Sequence, residues 1–251
     1  MDSFIPWIGG KKLLRKQITA CFPEKMKCYI EVFGGAGWVL FSKEKHADLE
    51  VYNDAEGDLV NLFRCAKHHP QELQRELSFM LNAKEFFEDY RSQLSSEGLT
   101  DIQRAARYLT LIKISYGADR RSYGGRKKDV LRYRAYLTEI EKRLRGVVIQ
   151  NKDFESLIRQ YDSEQSFFYA DPPYHTTEHH YDAVFRAEDH ERLKATLQAI
   201  QGKFLLSYND DEYIRSLYRG YEIIEVERKN NLNARYKDKE QRYKELLIKN
   251  Y

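Results

Sequence analysis

Short apolar runs rich in β-branched and aromatic residues alternate along this chain with stretches of helical spacing, and that rhythm limits the fold more than any other feature. The runs cover 28–33, 49–52, 147–150, 166–170, 203–208, 221–226 and 245–249. Each is long enough for a buried strand and too short for a core helix. Between them, residues 37–45, 55–67, 154–160, 188–200 and 211–218 place apolar side chains at helical intervals. Gly202 and Gly220 stand where a helix end calls for positive φ. Strand and helix in alternation predict an α/β, Rossmann-like fold with a mostly parallel sheet covered on both faces.

The rhythm breaks once. Residues 71–80, 84–94, 101–115 and 130–144 are helical in pattern with no run of the buried-strand type among them. This predicts an inserted helical lobe over 68–146, with 1–67 and 147–251 forming the sheet domain. The charge is concentrated in the same place. Forty-two Lys and Arg face 39 Asp and Glu overall, yet 60–150 carries 18 basic and 11 acidic side chains. Arg120, Arg121, Arg126, Lys127 and Lys128 crowd one Gly-containing turn. They are candidate phosphate contacts, although a solvated charged loop accounts for the composition equally well. A second basic stretch, 228–244, surrounds Asn230-Asn-Leu-Asn233.

Composition excludes several classes. At 251 residues and 42% hydrophobic content the chain has material for a large core, which rules out a disordered tail. Mean hydropathy is −0.72, no apolar run approaches the roughly 20 residues of a membrane span, and the first residues lack a signal-peptide stretch. A cytoplasmic protein without membrane contact is expected. Cys21, Cys28 and Cys65 form no C-x-x-C pair, so neither a disulfide framework nor a zinc ribbon is indicated. His175, Glu178, His179 and His180 are of ligand type but lack the helical spacing of a metal motif, and a loop over a ligand is the simpler reading. No metal is expected.

Two constellations carry chemistry. Glu31-Val-Phe-Gly-Gly-Ala-Gly37 follows a predicted strand, and its glycines permit a tight turn that brings backbone N–H groups against a ligand. Asp54 ends the next strand, where an acidic side chain can accept hydrogen bonds from ribose hydroxyls. The stronger signal is Asp171-Pro-Pro-Tyr174 after the 166–170 run, which uses two of the five prolines in the chain. Consecutive prolines fix φ and remove two backbone donors, leaving carbonyl oxygens beside a carboxylate and an aromatic ring. Two acceptors and a stacking face suit a planar group bearing an NH₂.

Asp171-Pro-Pro-Tyr174 with Phe33-x-Gly35-x-Gly37 resembles the amino-methylating DNA methyltransferases. Pro6-Trp-Ile-Gly-Gly-Lys11, ahead of the glycine motif, resembles the Dam-like adenine group, the D12 class. Motif order agrees, with a target-recognition insertion between the glycine and Asp-Pro-Pro-Tyr motifs, so the resemblance spans nearly the whole chain. It implies an S-adenosyl-L-methionine-dependent, site-specific methyltransferase of adenine N6 in double-stranded DNA, monomeric in solution and able to assemble on DNA, encoded by a bacterium or phage. Trp7 and Lys11 would line the cofactor pocket, Phe33, Gly35 and Gly37 would run along the cofactor, and Asp54 would meet its ribose. Asp153 and Phe154 would meet its adenine. Asp171, facing both cofactor and target, and the Pro172 carbonyl would accept the hydrogens of a flipped-out adenine amine stacked on Tyr174. Tyr116-Gly117 and Tyr123-Gly-Gly-Arg126 are similar to the base-reading hairpin of the group, which makes Tyr123 a candidate base contact. The chain has Val32 where the family's glycine motif usually has proline. On the residues alone, a methyltransferase of RNA or of a protein amide, or a silent DNA-binding module, stays open.

Overall fold

Among the described residues, seven strands form one sheet: β1 (Cys28–Glu31), β2 (Leu49–Asn53), β3 (Val147–Gln150), β4 (Ser166–Ala170), β5 (Lys203–Asn209), β6 (Glu222–Lys229) and β7 (Arg242–Lys249). Their spatial order is β3-β2-β1-β4-β5-β7-β6. The first five run parallel, and β7 lies antiparallel between β5 and β6. This computed structural model describes residues 1–125, 134–175, 185–229 and 242–251. Arg126, Lys127, Lys128, Glu178, His179, His180 and the 230–233 stretch lie outside the described residues.

Side chains alternate across the sheet as strand geometry requires. Tyr29, Tyr52, Phe167, Tyr169, Leu205 and Leu247 face one core, and Ile30, Val51, Phe168, Leu206 and Ile248 face another. The second core is covered by α7 (Phe154–Tyr161), α8 (Ala187–Gln198) and α9 (Glu212–Leu217). The first is covered by α1 (Arg15–Ala20) and α2 (Gly57–His68), and it continues without a break into the inserted helices. These are α3 (Pro70–Leu77), α4 (Lys84–Leu94), α5 (Asp101–Ile114) and α6 (Arg134–Leu144). At the centre of the lobe is α5, buried along Tyr108–Ile114 and started by a Thr100–Gln103 capping box. The lobe and the sheet share one hydrophobic core.

Between β1 and β4 the chain order reverses, since β1 leads to β2 on one side while β4 lies on the other. A crevice therefore opens beyond the carboxyl ends of these strands, the usual ligand position in such sheets.

Two local expectations are corrected. The helix expected over 37–45 is only a short 3₁₀ turn, Leu40–Ser42, and the chain is extended again at Lys43. Carbonyls a helix would use internally are taken by other side chains. Arg143 donates to the Leu40 and Lys43 carbonyls at 2.7 and 2.9 Å, and a His46 ring nitrogen lies 2.9 Å from the Val39 carbonyl. At the second position, Gly220 has φ 99° as expected, whereas Gly202 has no positive φ. It is glycine because a Cβ there would lie 2.8 Å from the Ser166 carbonyl oxygen.

One link between lobe and sheet is a buried ion pair. Arg143, at the end of α6, donates to both carboxylate oxygens of Glu50 on β2 at 2.8 and 2.9 Å. Removing one partner of such a pair strands the other charge. Arg143→Ala is expected to cost about 3–5 kcal/mol of unfolding free energy. Urea titration checks this, and a loss near that of a surface arginine would deny the pair its role.

Candidate active site

The crevice is a cleft of about 1230 Å³, counted to its open mouth, at the ends of β1, β2 and β4. Its floor is made by hydrogen bonds between strand ends. Asp54, just past β2, accepts from the Gly35 N–H at 2.8 Å and the Glu56 N–H at 2.9 Å. Asn53 donates to the Val32 and Lys152 carbonyls at 2.9 and 3.1 Å and accepts from the Lys152 N–H at 2.8 Å. One side chain thus ties the ends of β1 and β2 to the loop after β3. Burial raises the Asp54 carboxyl above its ordinary range, against the pull of its backbone donors.

Glycines let the cradle close. A Cβ on Gly34 would stand 2.2 Å from the Tyr52 ring, which is stacked on Phe63 with its OH donating to the Gly35 carbonyl at 2.7 Å. Gly35 has φ 49°, and a Cβ there would meet the Trp7 indole nitrogen at 2.9 Å. Trp7 therefore lies directly against the backbone of the glycine turn. Gly37, at φ 66°, closes the turn through its N–H to the Gly34 carbonyl and does not line the cleft.

Opposite the cradle is an aromatic wall. Phe33, Phe154 and Phe185 have ring centroids 5.7 to 6.0 Å apart, and the Arg192 guanidinium lies 4.0 Å over Phe154. Arg192 also grips both Asp153 carboxylate oxygens, at 3.0 and 2.8 Å. Burial alone would raise the Asp153 carboxyl, but this guanidinium and two backbone N–H groups hold it below its ordinary range. Asp153 is also the N-cap of α7.

The Asp171 end of the cleft centres on Lys11. Its buried ammonium lies 2.8 Å from Asp171 Oδ1 and 3.7 Å from Glu245 Oε2, donates to the Gly9 carbonyl at 3.0 Å, and sits 4.8 Å over the Tyr174 ring. Asp171, Pro172 and Pro173 line the cleft, while Tyr174 stands behind Lys11 with its OH donating to Glu245 Oε2 at 2.9 Å. Burial, with the charges of Asp171 and Glu245, holds the Tyr174 phenol well above its ordinary range, so it stays a donor. Glu31 completes the cluster and accepts from the Tyr29 OH at 2.7 Å. Burial drives its carboxyl up to about 8, so it is predominantly protonated at neutral pH.

The inserted lobe reaches the cleft through a tight antiparallel turn, closed by Tyr116 N–H to the Ser122 carbonyl and Gly124 N–H to the Ile114 carbonyl. Arg120, expected at a phosphate, turns inward. It pairs with Glu56 at 3.2 Å, donates to the Tyr108 OH at 2.7 Å and lies 5.3 Å over the Trp7 ring. Tyr123 packs on Phe87 and donates to Asn82 at 3.0 Å, whereas Arg121 and Tyr116 are exposed. His175 lies 3.2 Å from Asp211 and stacks on Tyr213.

Of the expected site residues, the cleft brings together Trp7, Lys11, Phe33, Gly35, Asp54, Asp153, Phe154, Asp171 and Pro172, with Arg120 and Arg121 at its edge. It adds Glu31, Asn53, Glu56 and Phe185, which the sequence reading passed over. Asn53 and Glu56 flank Asp54, so an acidic-amide cluster at a strand end was the available signal. Phe185 had none.

Comparison with known proteins gives the chain's family and relatives. A family model described as D12 class N6 adenine-specific DNA methyltransferase matches residues 7–232. The type II methyltransferase M1.LlaDCHI of Lactococcus lactis subsp. cremoris is 27% identical, covering 99% of this chain and 95% of that protein. M.MjaIII of Methanocaldococcus jannaschii is 28% identical over 99% and 98%. M.CviBI of Paramecium bursaria Chlorella virus NC1A is 27% identical over the full length of both.

Glu31 makes the cleft's charge visible in stability. Unfolded, it titrates near 4.5, and folded, near 8, so between those values the folded state holds the extra proton. Its contribution is full below pH 4.5 and is lost as pH rises through 8. In Glu31→Gln the difference in melting temperature between pH 5 and pH 8.5 should shrink, measured by scanning calorimetry. An unchanged difference would locate the titration elsewhere.

Proposed function

We propose how the site works for a chain that belongs to the D12 class of N6 adenine-specific DNA methyltransferases and is a site-specific DNA methyltransferase. Its cofactor is S-adenosyl-L-methionine and its target the N6 amine of a flipped-out adenine in duplex DNA. The observation that carries this reading is one cleft lined both by the Gly34–Gly35 cradle with Asp54 and by Asp171-Pro172.

The residues fit the cofactor. A turn that a Cβ would fill accepts close backbone approach, Trp7, Phe33, Phe154 and Phe185 supply flat apolar walls, and Asp54 offers acceptors to ribose hydroxyls. When bound, S-adenosyl-L-methionine supplies an electrophilic sulfonium methyl. The protein must make a poor nucleophile competent, because the lone pair of an adenine amine is delocalised into the ring. Asp171 and the Pro172 carbonyl accept the two amine hydrogens, which favours pyramidalisation and stabilises the positive charge that develops on nitrogen. Holding amine and methyl in line can contribute about 7–11 kcal/mol in favourable cases. Flipping the base costs a few kcal/mol, and stacking on Tyr174 returns about 1–3 kcal/mol.

The 68–146 lobe acts in target recognition, with Arg121, Arg126, Lys127 and Lys128 at phosphates and the exposed Tyr116 toward bases. Type II names among the relatives support a modification enzyme of a restriction-modification system.

Incubation with methyl-labelled S-adenosyl-L-methionine and unmethylated duplex DNA, then nucleoside digestion and mass spectrometry, should yield N6-methyladenine. Label in RNA or protein alone would overturn the reading. Asp171→Ala should lower methyl transfer by orders of magnitude with folding intact, and activity within about threefold of wild type would remove the acceptor role.

The two neighbouring arginines should separate. Arg121→Ala is expected to reduce the salt slope of DNA binding by about one and leave cofactor affinity alone. Arg120→Ala should instead weaken cofactor binding measured without DNA, because Arg120 backs Trp7. Calorimetric titration and salt-dependent DNA binding distinguish the two, and equal behaviour of both variants would refute the inward role of Arg120.

A further inference from the structure

Glu245 sits near the start of β7, flanked by Lys244 and the apolar Leu246-Leu247-Ile248, at the head of the 245–249 run. The structure buries it to 2% exposure. Because β7 runs antiparallel to β5, its beginning lies at the edge where the parallel strands end, and Glu245 pairs in register with Asn209 at the end of β5. A carboxylate 71 residues beyond Tyr174 is thereby delivered to the Asp171-Pro-Pro-Tyr174 turn.

Its contacts are with the reacting end of the site. Glu245 Oε2 accepts the Tyr174 OH at 2.9 Å and lies 3.7 Å from the Lys11 ammonium. The same ammonium touches Asp171 at 2.8 Å and sits over the Tyr174 ring. A hydroxyl anchored at the far end of the ring fixes its tilt, and with it the plane available for stacking. Charges act additively, so a second carboxylate near the ammonium partly offsets the positive potential that the ammonium sets at the first. A carboxylate bound only to an ammonium is a weaker acceptor for a further N–H.

From these contacts we propose that Glu245 is a positioning residue for methyl transfer: it orients Tyr174 through the phenol OH and, by its negative charge 3.7 Å from the Lys11 ammonium, partly offsets the pull of that ammonium on Asp171, keeping Asp171 competent to accept the amine N–H. This rests on the methyl-transfer reading of the same cleft. A buried carboxylate needs compensation, and the Tyr174 phenol and the Lys11 ammonium supply it to Glu245.

Three variants test it. Glu245→Gln keeps an oxygen for the Tyr174 OH and removes the charge, Tyr174→Phe keeps the ring and removes the OH, and the double variant measures their coupling. Each is followed by melting temperature, cofactor binding by calorimetry, and steady-state methylation of duplex DNA. Glu245→Gln is expected to lower kcat by about tenfold or more while cofactor affinity and the KM for DNA change less than about threefold, and the double variant should lose less than the product of the single losses. A merely structural Glu245 would lower melting temperature and move binding and kcat together, which would overturn the proposal. So would a folded Glu245→Gln with wild-type kcat. If Glu245→Gln does not fold, Tyr174→Phe carries the test, and wild-type kcat in it rejects the anchoring. Failure of the underlying reading looks different: the wild-type protein itself would methylate no adenine in DNA.

Discussion

A single buried ammonium conditions the carboxyl edge of this sheet. Glu31 on β1, Asp171 after β4 and Glu245 on β7 place three carboxyl groups there, two of them nearly fully buried. Burying a charge costs several kcal/mol per ion unless it is paired. One carboxyl answers by keeping its proton, as Glu31 does. For the other two the cation is Lys11, which comes from the chain before the first strand. Seating Lys11 seats the whole 6–11 segment, so Trp7 comes to rest against Gly35, and Gly10 against Trp38. The neutralising contact and the wall of the cleft both come from this one segment.

The inserted lobe joins this arrangement through polar links that end on the same few elements. Arg143 binds Glu50 and the 40–43 turn. Lys113 of α5 donates to the Phe4 carbonyl, and Tyr136 of α6 to the Asp2 carbonyl, which clamps the N-terminal segment from the lobe side. Arg120 spans from the turn after α5 to Glu56 and Trp7. Because lobe and sheet also share one apolar core, a displacement of the 115–124 turn would be felt at Trp7 and Glu56. This is a physical route by which the turn and the cleft can influence each other.

What could be read in the sequence was whatever local chemistry dictates. Buried strands announce themselves by β-branched and aromatic runs, and β4 falls on its expected bounds for that reason. The glycine turn and Asp171-Pro172-Pro173 are legible because few backbones need those residues. Pairings across topology are not legible in this way. Arg143 and Glu50 are 93 residues apart, and either alone reads as a surface charge. Arg120 sits in a basic cluster and looks like its neighbours until Glu56 and Tyr108 turn it inward. Gly34 reads as one turn glycine among several, and nothing local shows that a Cβ there would stand 2.2 Å from the Tyr52 ring. Glu245 was hidden by direction: a rule that places ligands at the ends of parallel strands passes over the beginning of an antiparallel one.

Val32 shows how the same turn can be held by a different device. The family's glycine motif usually has proline at this place, which stiffens the backbone through its ring and donates no hydrogen bond. Here the Val32 N–H donates to the Tyr169 carbonyl at 2.9 Å, extending the β1–β4 ladder past Glu31, and the Val32 carbonyl accepts from Asn53 at 2.9 Å. The side chain packs in the core shared with Ile30 and Ala170. Rigidity therefore comes from two hydrogen bonds and a buried β-branched side chain, and both bonds lead to strand ends that line the cleft. A proline at 32 would free the Tyr169 carbonyl beside Asp171, so the departure from the family pattern is compensated at the residue that most needs a fixed neighbour.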